Sequence, residues 1–365
     1  MGLTLSLLFL LALALSLIAT PLVSRLAVKI NALDLPGERK LHRLPIPRLG
    51  GIAIYLAYVI ALNTGLLLSD ELLHLFEKSL RSWLGLLFGG SVVLALGIVD
   101  DIYELRPRTK LFFQVLAAAI VFAAGLQVTK VTNPFDGVLH LGWLSLPVTL
   151  LWIVGITNAM NLIDGLDGLA SGVALIITAT ILAISIMFGN MAVAVVSAIL
   201  CGSTLGFLRY NFNPARIFMG DSGSMFLGFT LAVISLRGTQ KSTTAVAVLI
   251  PILFFGLPIA DTLLAVWRRL SRVPAASGPG SWRVFNADRE HIHHKLINLG
   301  LSHRSAVLTL YVVTMGLSGT AFFITAARSE AAAIATTAIV MVAVGLLVLL
   351  SGRYPKIRKA NGNSR

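Results

Sequence analysis

Apolar stretches long enough to cross a bilayer recur eleven times along this chain, and that recurrence constrains its fold more than any other feature of the sequence. A hydrocarbon core of ~30 Å calls for about 20 apolar residues in a helix, with about 17–25 usual. The stretches cover residues 3–23, 51–68, 83–99, 111–126, 146–160, 169–187, 191–208, 222–236, 245–266, 306–326 and 331–350, the fourth, fifth and eighth being short. The expected fold is therefore an all-α polytopic integral membrane protein with about eleven transmembrane helices. Composition points the same way. Only 12% of residues are charged and 56% are hydrophobic, against about 25% charged in ordinary soluble domains. That excludes a cytosolic enzyme, a disordered chain and a fibrous repeat. The first stretch has no basic run before it and exceeds the apolar core of a signal peptide, so it is expected to be retained. Cys201, the sole cysteine, excludes a disulfide framework and a cysteine-built zinc site.

Lysine and arginine outnumber aspartate and glutamate by 29 to 16, a net charge of +13. With the N-terminus outside and the C-terminus in the cytoplasm, 23 of the 29 cations fall on inner segments, the bias expected of cytoplasmic loops. Orientation alone thus accounts for most of the positive charge. It does not account for the acids. Ten of the 16 also lie inside, and Asp261 lies within the ninth apolar stretch. These carboxylates need a local reason.

Four constellations contain most of them. In the first, Asp100 and Asp101 end an apolar run and are followed by Arg106, Arg108 and Lys110. Adjacent helical positions point ~100° apart, so one acid can face a site while the other makes a structural hydrogen bond. A self-paired, solvated loop is the plain alternative. In the second, Asn158, Asn161, Asp164 and Asp167 have no cationic neighbour in sequence. The last three stand at i, i+3 and i+6, which on a helix makes one polar stripe. Buried without partners such groups are costly, and a divalent cation or a polar ligand relieves that cost; a glycine-rich turn with solvated acids is the alternative. The third, Phe218-Met-Gly220-Asp221-Ser-Gly-Ser224, starts an apolar stretch with a carboxylate. Asp221 either caps that helix or, with nearby amides, holds a metal–phosphate group. The fourth, Asp288-Arg289-Glu290-His291-Ile-His293-His294-Lys295, suits a transition-metal site or a cationic phosphate clamp.

All four fall on the cytoplasmic side of the charge-derived topology. The oxygen ligands favour Mg²⁺, or Mn²⁺ in its place, held by carboxylates with the histidines on a substrate. The implied chemistry joins anions. Two like unit charges 4 Å apart repel by ~4 kcal/mol at an effective dielectric of ~20, so bringing phosphates together requires a metal and cations.

Taken together and in order, these motifs resemble the polyprenyl-phosphate N-acetylhexosamine-1-phosphate transferases, the MraY/WecA/TagO superfamily of glycosyltransferases. Asp34-Leu-Pro-Gly-Glu-Arg39-Lys40-Leu-His42 followed by Pro47-Arg-Leu-Gly50-Gly51 looks like the WecA branch, as does His291-Ile-His293-His294. The resemblance implies one membrane-embedded domain over residues 1–365, with loops 25–50, 100–110, 161–168, 209–221 and 268–305 building a cytoplasmic active site in the plasma (inner) membrane. It implies a Mg²⁺-dependent reaction in which a polyprenyl (undecaprenyl) phosphate attacks a UDP-N-acetylhexosamine. UMP leaves, and lipid-linked cell-envelope glycan synthesis begins. By motif, Asp221 and Asn161 would ligate Mg²⁺, and Asp100, supported by Asp101, would accept or orient the lipid phosphate's proton. Lys110 would hold the diphosphate. Asn158, Asp164 and Asp167 would contact the substrate, the two acids in the uridine pocket, and Phe218 would stack on uracil. Arg289, His291, His293 and His294 would contact sugar and diphosphate. The His-x-His-His pattern argues for a GlcNAc donor over a peptide-bearing muramoyl one. The lipids of the membrane, and a second copy of the chain in a homodimer, are the partners implied; nucleic acid is not.

The rival from another class is a secondary transporter of an anionic solute, which would explain Asp261 but calls for polar groups near the mid-bilayer. A lipid diphosphate phosphatase with a histidine nucleophile and a non-catalytic scaffold are further alternatives. Asp261 itself is expected to pair with Arg268 or Arg269, or to line a lipid groove.

Overall fold

The computed structural model describes residues 1–36, 44–133, 137–239, 249–271 and 291–327. Among them the chain is almost wholly helical, with α1 (Gly2–Lys29), α2 (Gly50–Leu68), α3 (Asp70–Glu77), α4 (Leu80–Tyr103), α5 (Pro107–Ala123), α6 (Ser145–Ile163), α7 (Leu169–Met187), α8 (Met191–Asn211), α9 (Gly220–Thr239), α10 (Leu249–Phe254), α11 (Gly256–Ser271), α12 (Ile292–Asn298) and α13 (His303–Ala327). Seven of the helical segments are long and apolar enough to cross a membrane: α1, α2, α4, α6 with its preceding turn, α7, α8 and α13. The architecture is that of a polytopic membrane protein.

Two short antiparallel pairs interrupt the helices. β1 (Leu33–Asp34) pairs with β2 (Ile46–Pro47), and β3 (Lys130–Asn133) with β4 (Gly137–His140). The second pair occupies the loop in which Asn133-Pro134 and Asp136-Gly137 signal a turn.

Ten of the eleven apolar stretches coincide with described helices, and 331–350 lies outside the described residues. The ninth departs from a single span. It is split into α10 and α11 around Phe255. Pro258 has no N–H to offer the carbonyl of Phe254, so one helix cannot run through the junction.

The centre of the bundle is α9. Every residue from 222 to 236 is buried, with α4 along one flank, α6 along the other, and α2 and α7 completing the ring. Lipid gives helices no hydrophobic reason to associate, so close backbone contact through small residues must do so. Gly97 provides it: a Cβ there would stand 2.3 Å from the Ser222 Cα. That approach sets the inner end of α4 against the first turn of α9. In the same way α1 and α7 pack against α8, whose buried residues run from Ala192 to Asn211.

Candidate active site

The C-terminal turn of α4 and the N-terminal turn of α9 meet through their acids. Asp101 accepts two backbone hydrogen bonds, from Asp221 N (2.8 Å) and Ser222 N (3.1 Å). Both its oxygens thus satisfy the open amides that begin α9. Gly220 makes room for it. Its φ is +72°, and a Cβ would lie 2.4 Å from Asp101 Oδ2, so the position demands glycine twice over.

Asp100 points elsewhere. Its Oδ1 accepts from Leu105 N at 2.7 Å, and its Oδ2 lies 2.5 Å from Lys110 Nζ. The same ammonium donates to Asp221 Oδ2 at 2.6 Å. Lys110 therefore bridges the two carboxylates from the first turn of α5. Asn161, on α6, donates through Nδ2 to Ser224 Oγ at 2.9 Å, which leaves its amide oxygen for another ligand.

Asp221 also lines a cleft of about 670 Å³, within the ~300–1,000 Å³ of small-molecule sites. Asp34, Asp101, Asp164 and Asp167 also line it, against the single guanidinium of Arg48. Phe218 and His294 complete the parts of the wall that the sequence motifs anticipate. The first loop is tied to the third constellation by the backbone: Phe218 N donates to Pro47 O (2.8 Å), and Gly50 N to Phe218 O (3.1 Å). Arg48 in turn pairs with Asp34.

The polar stripe expected of Asn161, Asp164 and Asp167 is not helical throughout. α6 stops at Ile163, and the chain turns through Gly168 at φ +79° before α7. The two acids consequently sit in a turn at the cleft. Asp167 Oδ2 accepts from Asn213 Nδ2 (2.9 Å) and Ala215 N (3.0 Å), holding the loop before α9, while its own N–H donates to His303 Nε2 at 3.0 Å. Asp164 makes no such bond among the described residues. Removal from water, and then the charges of Asp221, Asp101 and Asp167, hold its carboxyl well above the ordinary carboxylate range, with Arg48 pulling the other way.

Other residues singled out by motif lie away from the cleft wall. Asn158 exchanges amide hydrogen bonds with Gln114 of α5, at 2.7 and 3.4 Å, and donates to Val154 O. His291 is bonded to Asp261, 2.8 Å from Nδ1 to Oδ2, a histidine partner that the sequence reading did not anticipate for this acid. His293 is buried against Gly165, and its Nε2 finds no hydrogen-bond partner among the described residues. Burial, and then the adjacent His294, push the His293 imidazole down to about 3; burial also lowers His294, with His291 adding to it. Arg289 lies outside the described residues.

Spacing along the chain did not mark Arg48, Asp34 or His303 as parts of one wall. Arg48 stands in the sequence within a family-like first-loop motif and His303 within a long polar segment, and neither is given a role of its own. Their convergence depends on strand pairing and on how α13 packs.

The acids that line the cleft with Asp221 are oxygen donors, the ligand type that Mg²⁺ or Mn²⁺ takes. Magnesium commonly takes one or two carboxylates and fills its remaining positions with water and substrate phosphate. Among the described residues there is no cage of three or more acid, histidine or cysteine ligands, as a zinc site would need. A cationic group, the Lys110 ammonium, already stands between Asp100 and Asp221.

Comparison with known proteins adds the lineage. The sequence model described as glycosyl transferase family 4 matches residues 83–239, a range holding every anchor from α4 to α9. The chain is 41% identical to the "Probable undecaprenyl-phosphate N-acetylglucosaminyl 1-phosphate transferase" of Bacillus subtilis, over 84% of this chain and 80% of that protein. It is 34% identical to the "Decaprenyl-phosphate N-acetylglucosaminephosphotransferase" of Mycolicibacterium smegmatis, over 92% of this chain and 86% of that one. It is 30% identical to the "Phospho-N-acetylmuramoyl-pentapeptide-transferase" of Halalkalibacterium halodurans, over 85% and 93% respectively.

Proposed function

The chain belongs to glycosyl transferase family 4, and from that premise we propose that it transfers N-acetylglucosamine-1-phosphate from UDP-GlcNAc to undecaprenyl or a related polyprenyl phosphate. A phosphate oxygen of the lipid attacks the β-phosphorus of the donor. The bond from that phosphorus to the bridging oxygen breaks, UMP leaves with the bridging oxygen, and the product is a polyprenyl-diphospho-GlcNAc that primes cell-envelope glycan synthesis.

One observation carries this reading: Asp221 faces two ways. Towards the cleft it joins Asp101, Asp164 and Asp167 in a wall sized for a nucleotide sugar. It also shares Lys110, which is not part of that wall, with Asp100, and Lys110 lies in the first turn of a helix whose next residues, Leu111 and Phe112, are 46% and 64% exposed, as a lipid-facing helix requires. On this reading donor and acceptor phosphates meet at one carboxylate. We assign Asp100 to accept or orient the lipid phosphate's proton and Lys110 to balance the anions that meet there. Asp101 holds the first turn of α9, and with it Asp221, in place. Phe218 offers an aromatic face to uracil, Asp164 and Asp167 bound the uridine end, and Arg48 and His294 supply positive or hydrogen-bonding groups to the diphosphate. Asp221, with Asn161 as a second ligand, would hold Mg²⁺ or Mn²⁺, which when bound offsets the charge of the donor diphosphate. A carboxylate so occupied is a poor nucleophile, which favours direct attack by the lipid over a covalent aspartyl intermediate.

The same reading gives the whole chain as a single domain of about eleven spans, N-terminus outside, with the cleft on the cytoplasmic side of the plasma membrane. The test is UMP release by purified protein supplied with undecaprenyl phosphate, Mg²⁺ and a panel of UDP-sugars. Release should need lipid and metal together and be fastest with UDP-GlcNAc. Equal release without lipid would end the transferase reading, and a preference for the UDP-muramoyl pentapeptide would move the chain to the other donor class.

A further inference from the structure

The steps above make no use of Asp261, although a carboxylate on an apolar helix calls for an explanation. Asp261 belongs to α11 and is 2% exposed. Both of its oxygens are committed to one short stretch of chain. Oδ2 lies 2.8 Å from His291 Nδ1, and Oδ1 accepts from Ile292 N at 2.8 Å. His291 is the N-cap residue of α12 and Ile292 its first helical residue. One buried acid therefore fixes a ring and starts a helix.

The consequence passes along the histidines. The His291 and His293 rings are parallel, 4° apart in plane with centroids at 5.7 Å. His293 meets His294 at 4.3 Å, and His294 lines the cleft. A carboxylate on Nδ1 fixes which way an imidazole faces and leaves Nε2 as its free nitrogen. Charge reinforces the geometry, because an acid at the first turn of a helix is favoured by the exposed amides there.

We propose that Asp261 is a positioning residue for the transfer reaction: held inside the bundle, it keeps the proton of His291 on Nδ1 and sets α12 so that the histidine segment presents one fixed arrangement to the donor diphosphate. This rests on the transferase reading of the cleft. Asp261 itself does not touch substrate.

The experiment compares wild type, Asp261→Asn, Asp261→Glu, His291→Gln and the Asp261→Asn/His291→Gln pair in the full-length protein in nanodiscs, with thermal unfolding recorded for each. Two readouts are taken: kcat and KM for UDP-GlcNAc, and ¹⁵N imidazole shifts of ring-labelled histidine, the His291 signals being those lost in His291→Gln. The expected result is an Nδ1-protonated His291 in the wild type that loses this preference in Asp261→Asn. With it kcat/KM falls about 10–100-fold, the scale on which removing the partner behind a metal-ligating histidine is felt. Asp261→Glu should recover part of both, and the double variant should be no worse than His291→Gln alone. Unchanged kcat/KM in folded Asp261→Asn, or losses that multiply in the double variant, would overturn the proposal. Should Asp261→Asn not fold, Asp261→Glu decides: full activity with the Nδ1 proton lost overturns it. If the wild type releases no UMP from any donor, the transferase reading fails separately, and an unaltered His291 signal in Asp261→Asn then refutes the positioning role by itself.

Discussion

Asp221 is the residue on which two groups of side chains depend, because the cleft wall and the Lys110–Asp100 pair both end at its carboxylate. Asp221→Asn keeps the shape and removes the charge. The helix start is unaffected, since it is the Asp221 amide, not its side chain, that Asp101 holds. The expected outcome is loss of at least about 100-fold in kcat, the scale on which a single group stabilising developing charge is felt, with the unfolding temperature little changed. Steady-state UMP release and a thermal scan on the same preparation check it, and near-normal turnover would remove Asp221 from the reacting centre. At this scale the sequence is informative for a definite reason. Aspartates in an apolar chain are conspicuous, and Asp100, Asp101, Asp164, Asp167 and Asp221 stand out without any structure. It does not separate their tasks. Neighbouring Asp100 and Asp101 look alike in the chain, yet one meets Lys110 and the other accepts the first backbone amides of α9.

Among the elements, the start of α9 is the most exacting. It combines a left-handed Gly220, an acid from another helix accepting its first amides, and backbone contact with Gly97 of α4. Asp101→Ala would leave two amides without an acceptor at a buried helix end. Loss of such a cap typically costs about 0.5–2 kcal/mol. The protein should therefore unfold several degrees lower, and the fall in kcat should exceed what the remaining folded fraction explains, because Asp221 rides on the freed turn. Thermal unfolding followed by activity at matched folded fraction separates these effects. An unchanged melting temperature would show that α9 begins without help from α4. The split of the ninth stretch into α10 and α11 teaches a related lesson. Hydropathy registers an unbroken apolar run, whereas Pro258 removes one hydrogen bond and lets the chain turn a buried acid, Asp261, towards α12.

For the molecule as a whole, the distribution of 23 of 29 cations over alternate segments predicts a cytoplasmic cleft. Single cysteines test it directly, since the native Cys201 is buried. Glu71→Cys, in the exposed start of α3, should react with a membrane-impermeant maleimide applied outside intact cells. Ser302→Cys, exposed just before α13, should react only after the membrane is opened. The reverse pattern would invert the protein and put the acid-lined cleft on the wrong face for a cytosolic nucleotide sugar.

Local chemistry by itself determined that this chain belongs in a bilayer and which carboxylates, amides and histidines stand out as candidates for its chemistry. Hydropathy and charge are properties of short segments and need no partner to be read. Partnership was decided only in three dimensions. Lys110 reaches Asp221 across 111 positions, Asn158 meets Gln114 across 44, and Asp261 meets His291 across 30. No periodicity encodes such distances, because they follow from which helices small residues allow to touch, and that packing exists only once the bundle has assembled.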